Sequence, residues 1–375
     1  MRSREVWKSI VRVFLLLVIM AAITMLVAGG YVLDWSWTGF GDYVTPSASQ
    51  GQEFQRGKTL WDWLDLLIVP VVLAVGGLLF KRAERQDERA YANQRVQHEC
   101  EMALDRQREN ALQIYLDRMS DLLLTANLRE STDCAEVRAV ARSRTLIALQ
   151  TLNNQRKYVV LRFLCESGLV DVDNPIINMR GSDFRGVDLQ RVDLSESDLH
   201  EANLKDATLN RADLFRSNLH GVDLSGADLN GAAMFKTNLV GANLHSATLS
   251  LSELNEADLT GADLRAAKLK EARLQQAILI GVDLREADLT KADLRGADLS
   301  GARLDNATLD GADLSGAYLF GASLRNASLR HARLSEAVLI EADVSNSDMT
   351  DAELAAEQML DVKSCESAIV PFRAS

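Results

Sequence analysis

Residues 281–320 read GVDLREADLTKADLRGADLSGARLDNATLDGADLSGAYLF. A leucine returns at nearly every fifth place, a small residue stands two places before it, and aspartate often fills the gap. Stepping outward in fives, the pattern runs without insertion or deletion from Phe184 to Leu354, which is 35 positions. Leucine holds 31 of them, and the others are Phe184, Met234, Val344 and Met349. The slot two residues earlier is Ala in 25 cases and Ser, Val or Thr in the rest. The slot just before is Asp or Asn in 20. A period of five fits neither the 3.6 of a helix nor the 2 of a strand. Wound as a helix, the segment would smear leucine around its whole surface.

The pattern resolves as a solenoid in which each pentad forms one side of a square coil, with the leucine and the small residue both pointing inward. Four pentads close a coil, so the run gives about nine coils and, at ~4.8 Å per stacked strand, a rod of about 40 Å. Both ends need covers. Residues 171–180 are expected to cover the first coil. Beyond Leu354 the pattern fails, because Glu357 occupies a small-residue slot, and residues 355–370 are expected to form a short helix and tail over the last coil.

The amino-terminal part is different. Val13 to Leu33, VFLLLVIMAAITMLVAGGYVL, is an uninterrupted run of uncharged residues, preceded by Arg2, Arg4, Lys8 and Arg12. A helix of that length rises about 30 Å, the thickness of a hydrocarbon core. It exceeds the core of a cleaved signal peptide. A second apolar run, Leu60 to Phe80, carries Asp62 and Asp65 near its start beside Trp61 and Trp63, and Lys81, Arg82, Arg85 and Arg89 follow it. Basic residues at the outer ends of both runs put both termini in the cytoplasm. The expectation is a membrane hairpin over 1–82, with spans at 13–33 and 60–80. A charged helix and small helical bundle over 83–170 follow it, then the solenoid over 171–360 and a cap and tail over 361–375. Asp133, with Glu136 three residues on, reads as the cap of one bundle helix, and another is expected over 154–167.

The pentads, with their A-(D/N)-L-x-x pattern over 182–354, resemble the pentapeptide-repeat family. The resemblance implies an all-β right-handed quadrilateral β-helix. With WDWLDLLIVPVVLAVGGLLF (61–80) and ALQIYLDRMSDLLL (111–124) ahead of it, the whole chain is similar to the membrane-anchored pentapeptide-repeat proteins of cyanobacteria and related bacteria. It implies an integral, multi-pass protein of a bacterial inner or thylakoid-type membrane. It implies no established activity.

The 375 residues carry a net charge of −12, with 41 Lys and Arg against 53 Asp and Glu. Between Arg180 and Leu360 there are 18 bases and 30 acids, so the whole imbalance sits on the solenoid. An acidic chain has no bulk drive toward nucleic acid, and no direct nucleic-acid binding is expected. Cys100, Cys134, Cys165 and Cys365 are too dispersed for a zinc or redox motif. The histidines show no metal spacing, and no nucleophile–base pattern is visible. No enzyme, cofactor or metal is therefore expected. Residues 20 apart stack on one side of a four-sided coil. The side centred on Leu239, Leu259, Leu279, Leu299, Leu319 and Leu339 carries outward Val240, Ile278, Ile280, Tyr318, Phe320, Val338 and Ile340. A one-sided apolar stripe marks a contact surface, for an unidentified partner protein or a second copy of the chain. The function expected is a membrane-anchored scaffold for protein–protein interaction. The alternative follows from the resemblance: some family members are acidic rods that imitate duplex DNA and bind topoisomerase.

Overall fold

The computed structural model describes residues 60–132 and 136–371, together with Met25. The chain divides into two compact units, Met1–Cys100 and Glu101–Ser375. Helix α1 spans Leu60–Leu124. The second apolar run therefore has helical backbone, and Leu73, Val75, Leu78 and Phe80 on it are 50–73% exposed. Among the described residues, however, no helix is long and apolar enough to cross a membrane. The two expected spans thus gain no support there. Apart from Met25, the run 13–33 lies outside the described residues, and so do the side chains of 60–69.

In the second unit, α1 is followed by a 3-10 turn, Leu128–Glu130, then α2, Glu136–Thr151, and α3, Asn154–Glu166. The expected cap at Asp133 lies outside the described residues. Asn153 caps α3, its side-chain oxygen accepting the Arg156 N–H at 3.3 Å, and Gly168 at φ +63° ends it. Met119, Leu128, Leu149, Leu161 and Leu164 fill the space between the helices, each at most 1% exposed. Arg156 ties α3 to α1 through Asp105 at 2.8 Å and Glu109 at 3.0 Å. The Tyr115 hydroxyl meets Thr145 Oγ1 at 2.9 Å, and burial pushes the Tyr115 phenol up to about 12.

The solenoid follows from one repeated backbone account, seen in the pentad 262–266. The Ala262 N–H donates to the Leu259 carbonyl at 3.0 Å and closes a four-residue turn. The Asp263 N–H donates to Ala242 of the coil before at 2.9 Å. The Leu264 and Ala266 N–H groups donate to Asp283 and Arg285 of the coil after at 2.8 and 3.0 Å. The Arg265 N–H donates to the Asp263 side chain at 3.1 Å. All five donors are satisfied, which a buried wall requires. Parallel bridges join residues 20 apart from Asp183↔Asn203 to Arg333↔Glu353, so four pentads do close a coil. Each turn has positive φ at its third residue, the mark of a type II turn. Every fifth residue from Gly181 to Asp351 is in the left-handed region, with φ between 51° and 73°. Glycine holds 13 of these corners, and the others, such as Leu251, accept a cost of roughly 1–2 kcal/mol each. Burying a leucine contributes roughly 1.5–3 kcal/mol, which offsets a corner of that cost.

The first coil has no coil before it, and side chains from the helices take that place. Lys157 Nζ donates to the Asp183 carbonyl at 2.6 Å, Asn154 Nδ2 to Gly186 at 2.7 Å, and Arg142 Nε to Asn178 at 3.0 Å. Leu169, Val170, Ile177 and Met179 close the core beneath them, at most 1% exposed. The cap is therefore larger than the 171–180 segment expected from the sequence, because α2 and α3 belong to it. At the other end, Ala356–Met359 forms a 3-10 turn. The tail then rejoins the wall, with Ser364 bridging Asp343 and Ile369 bridging Asp348. The offset there is 21 residues, because the turn adds one.

Leu269 is fully buried, and methionine fills the same slot at 234 and 349. Leu269→Ala is expected to lower the unfolding free energy by about 2–5 kcal/mol, and Leu269→Met by less than about 1.5 kcal/mol, in chemical denaturation. A loss near zero for Leu269→Ala would show that the slot is not a packed core.

Candidate interaction face

The coil geometry decides what each outward slot displays. In a pentad, the residue before the leucine forms the bridge, the residue after it leaves the wall, and the next one makes the corner. On one face the bridge residues stack in the order Asn238, Asp258, Ile278, Asp298, Tyr318 and Val338. The residues after the leucines are Val240, Thr260, Ile280, Ser300, Phe320 and Ile340. All seven apolar residues expected to form the stripe therefore share this face. Ile278, Ile280, Tyr318, Phe320 and Ile340 are 39–53% exposed, and Val240 and Val338 are half-buried. Phe215 and Phe235 stand on the neighbouring face, where their rings stack at 6.0 Å with Lys236 Nζ 5.0 Å from the Phe235 centroid.

Two further features of this face were not singled out from the sequence. The first is its corner. Gly241, Gly261, Gly281, Gly301 and Gly321 occupy it in succession at φ 64–66°, and nothing lies within 4 Å of where a Cβ would stand on any of them. The apolar column thus borders a bare backbone shelf. The second is charge. From 237 to 241 and at each 20-residue step to 337–341, the face carries Asp258, Asp298 and Glu341 and neither Lys nor Arg. Asp258 and Asp298 accept hydrogen bonds from Thr260 and Ser300, through N–H at 3.0 Å and hydroxyl at 2.6 Å in each case. No cation pairs with any of the three carboxylates among the described residues. Stepping through the sequence in twenties shows both features, because ADLTG, AILIG, ADLSG and AYLFG fall in line.

The next face inverts that arrangement. Arg265 grips Asp263 at 2.7 Å and Arg285 grips Asp283 at 2.6 Å. The hydrogen bonds from these guanidiniums are the main cause holding both carboxyls below the usual carboxylate range. The recurring Asp and Asn also have a backbone task. In all 20 pentads that carry one before the central residue, its side-chain oxygen accepts the N–H two residues on, at 3.0–3.3 Å. These are Asx turns. Aspartate recurs because it completes the coil, and the acidity of the solenoid follows from that.

A cavity of about 410 Å³ lies between α3 and the first coil, lined by Arg162, Cys165, Glu166 and Asp193 among others. Arg162 is already paired with Glu166 at 2.7 Å. Burial pushes the Cys165 thiol up to about 12, so it is no nucleophile at neutral pH.

The family model for pentapeptide repeats matches in 8 copies between residues 177 and 354. HetL, a pentapeptide repeat protein involved in heterocyst differentiation regulation in the cyanobacterium Nostoc, is 36% identical over 52% of this chain and 87% of its own, with a TM-score of 0.34. This chain belongs to the pentapeptide-repeat family. The family implies the right-handed quadrilateral β-helix, whose four-sided coil the pentad spacing had pointed to. QnrB1, a plasmid-mediated fluoroquinolone resistance protein, is 19% identical over 51% of this chain and 92% of its own, with a TM-score of 0.37. A pentapeptide repeat protein of the Arabidopsis thaliana thylakoid lumen is 28% identical over 33% and 73%, with a TM-score of 0.15. No curated protein matches the chain in sequence.

Thr290 donates to Asp288 through its N–H at 3.0 Å. If the aspartate serves the backbone, Asp288→Asn is expected to leave stability unchanged, while Asp288→Ala costs about 0.5–1.5 kcal/mol in denaturation. Equal losses for both would assign the role to the charge.

Proposed function

We propose that the chain is a non-enzymatic, membrane-anchored scaffold whose solenoid engages a partner protein in the cytoplasm through the face of Ile278, Ile280, Tyr318, Phe320 and Ile340. The observation that carries this is that five of the six large apolar side chains exposed on the coils, all but Leu251, lie on one side of the wall. Pentapeptide-repeat proteins are generally scaffolds or DNA mimics, and a convex wall offers no pocket for chemistry. Membrane anchoring rests on the uncharged run 13–33 with its basic flank, and on the exposed apolar side chains of Leu73, Val75, Leu78 and Phe80. The location is then a bacterial inner or thylakoid-type membrane with both termini in the cytoplasm.

The alternative, a rod imitating duplex DNA, has the net acidity of the solenoid in its favour. The paired carboxylates count against it. Asp263, Asp283, Asp293 and Asp310 each carry an arginine, whereas a phosphate mimic needs free negative charge in ladders.

The test is affinity capture by the full-length chain from solubilised membranes, compared with the Tyr318→Ser, Phe320→Ser, Ile340→Ser variant. These side chains lie outside the leucine core, so the far-ultraviolet spectrum should not change. A partner bound by the original chain and lost from the variant supports the reading. An identical partner list from both sinks it, and a topoisomerase retained by both supports the alternative.

A further inference from the structure

Resting on the reading of this face as a docking surface, we propose that its occupant is a cationic amphipathic α-helix of a partner protein, lying along the solenoid axis. The argument begins with spacing. Ile278 and Ile280 form one apolar band, and Tyr318 and Phe320 form another two coils on, with Val338 and Ile340 on the coil after that. Stacked coils repeat at about 4.8 Å, so the bands lie about 10 and 14 Å apart. Seven residues of α-helix rise about 10.5 Å and eleven rise about 16.5 Å, each within about 2 Å of a band. Apolar residues at i, i+7 and i+11 of a helix therefore meet the three apolar coils in turn. The glycine shelf of Gly241 to Gly321, open above every Cβ position, lets a helix approach the wall closely beside that column.

Charge fixes the rest of the partner's chemistry. Asp298 sits on the coil between the apolar bands, and Asp258 on the coil before the first. Both are half-buried and neither has a cationic partner among the described residues. Lysine or arginine at i−4 and i+4 of the docked helix falls opposite these two carboxylates. Glu341 extends the acidic character at the end of the face. Other carboxylates of the solenoid, Asp188, Asp228 and Asp288 among them, also lack a cationic partner among the described residues; what sets this face apart is that its carboxylates share it with the apolar column and with neither Lys nor Arg. Complementary charge of this kind sets orientation and partner choice. The same charge argues against other occupants. An anionic membrane surface is repelled. A second copy docked face to face presents the same surface, which has neither Lys nor Arg, and so brings no cation to Asp258 or Asp298.

The experiment uses the full-length chain and a labelled 18-residue helical peptide with leucine at i, i+7 and i+11 and lysine at i−4 and i+4. Binding is read by fluorescence anisotropy at physiological salt. The lysine peptide is expected to bind at least about tenfold more tightly than the same peptide with glutamate at those two places. Asp298→Lys and the Tyr318→Ser, Phe320→Ser pair are each expected to weaken it about fivefold or more, and Asp288→Lys, on another face, less than about twofold. Equal effects of Asp298→Lys and Asp288→Lys would reduce the binding to bulk charge and overturn the proposal. A doubled mass in light scattering, lost in the Tyr318→Ser, Phe320→Ser variant, would assign the face to a second copy and also overturn it. If membrane capture depends on the face but the peptide binds independently of it, the helix inference fails and the docking surface stands. If neither depends on it, both fall.

Discussion

Everything in the carboxyl-terminal half depends on a backbone corner made every fifth residue. A residue with positive φ turns the chain by one side of a square, and the carbonyl of the leucine before it accepts the N–H of the small residue after it. Because the corners recur without an insertion over 35 positions, leucine always points inward and coils stack in register. Register in turn lets two backbone donors of each pentad reach the next coil and one reach the previous coil. A single inserted residue would rotate all later side chains by one place, as the 21-residue offset after Ala356–Met359 shows where the wall ends.

The corner also governs the surface. The wall consumes four of five backbone donors, and the fifth points outward, at the residue after the leucine. An Asp or Asn two places earlier satisfies it. This local bond explains an acidic solenoid without any appeal to a partner, and it makes the exceptions informative. On the apolar stripe, Ile278, Tyr318 and Val338 replace the Asx residue, and the N–H groups of Ile280, Phe320 and Ile340 make no hydrogen bond among the described residues. The stripe gives up a recurrent stabilising bond in three coils and gains exposed apolar area in the same coils. Asp or Asn is missing from that slot in 15 of the 35 pentads, on all four faces, but only on this face are the replacements large and apolar.

Much of this was legible in the sequence. The period of five, the inward leucine and the stacking interval of 20 placed all seven residues of the stripe on one face before any coordinates. The meaning of aspartate was not legible, since a count of Asp and Asn does not reveal which donor each side chain meets. Nor was the extent of the amino-terminal cap. Lys157, Asn154 and Arg142 read as ordinary polar residues of amphipathic helices, and only the open carbonyls of the first coil give them a purpose. The unpaired state of Asp258 and Asp298 depends on which arginines share their face, and a linear sequence shows that only after it is folded into coils.

The central claim, that wall and turn take four backbone donors of each pentad and leave the fifth to an Asx side chain where one is present, is tested most directly by residue-resolved amide hydrogen exchange on the full-length chain. The N–H groups of Leu259, Leu279 and Leu299 are held by the next coil and should all exchange slowly, through global opening. Thr260 and Ser300, held by Asp258 and Asp298, should exchange more slowly than Ile280, Phe320 and Ile340, which occupy the same place on the same face. Uniform protection along this face, or leucine amides exchanging as fast as those of Ile280 and Phe320, would contradict the account.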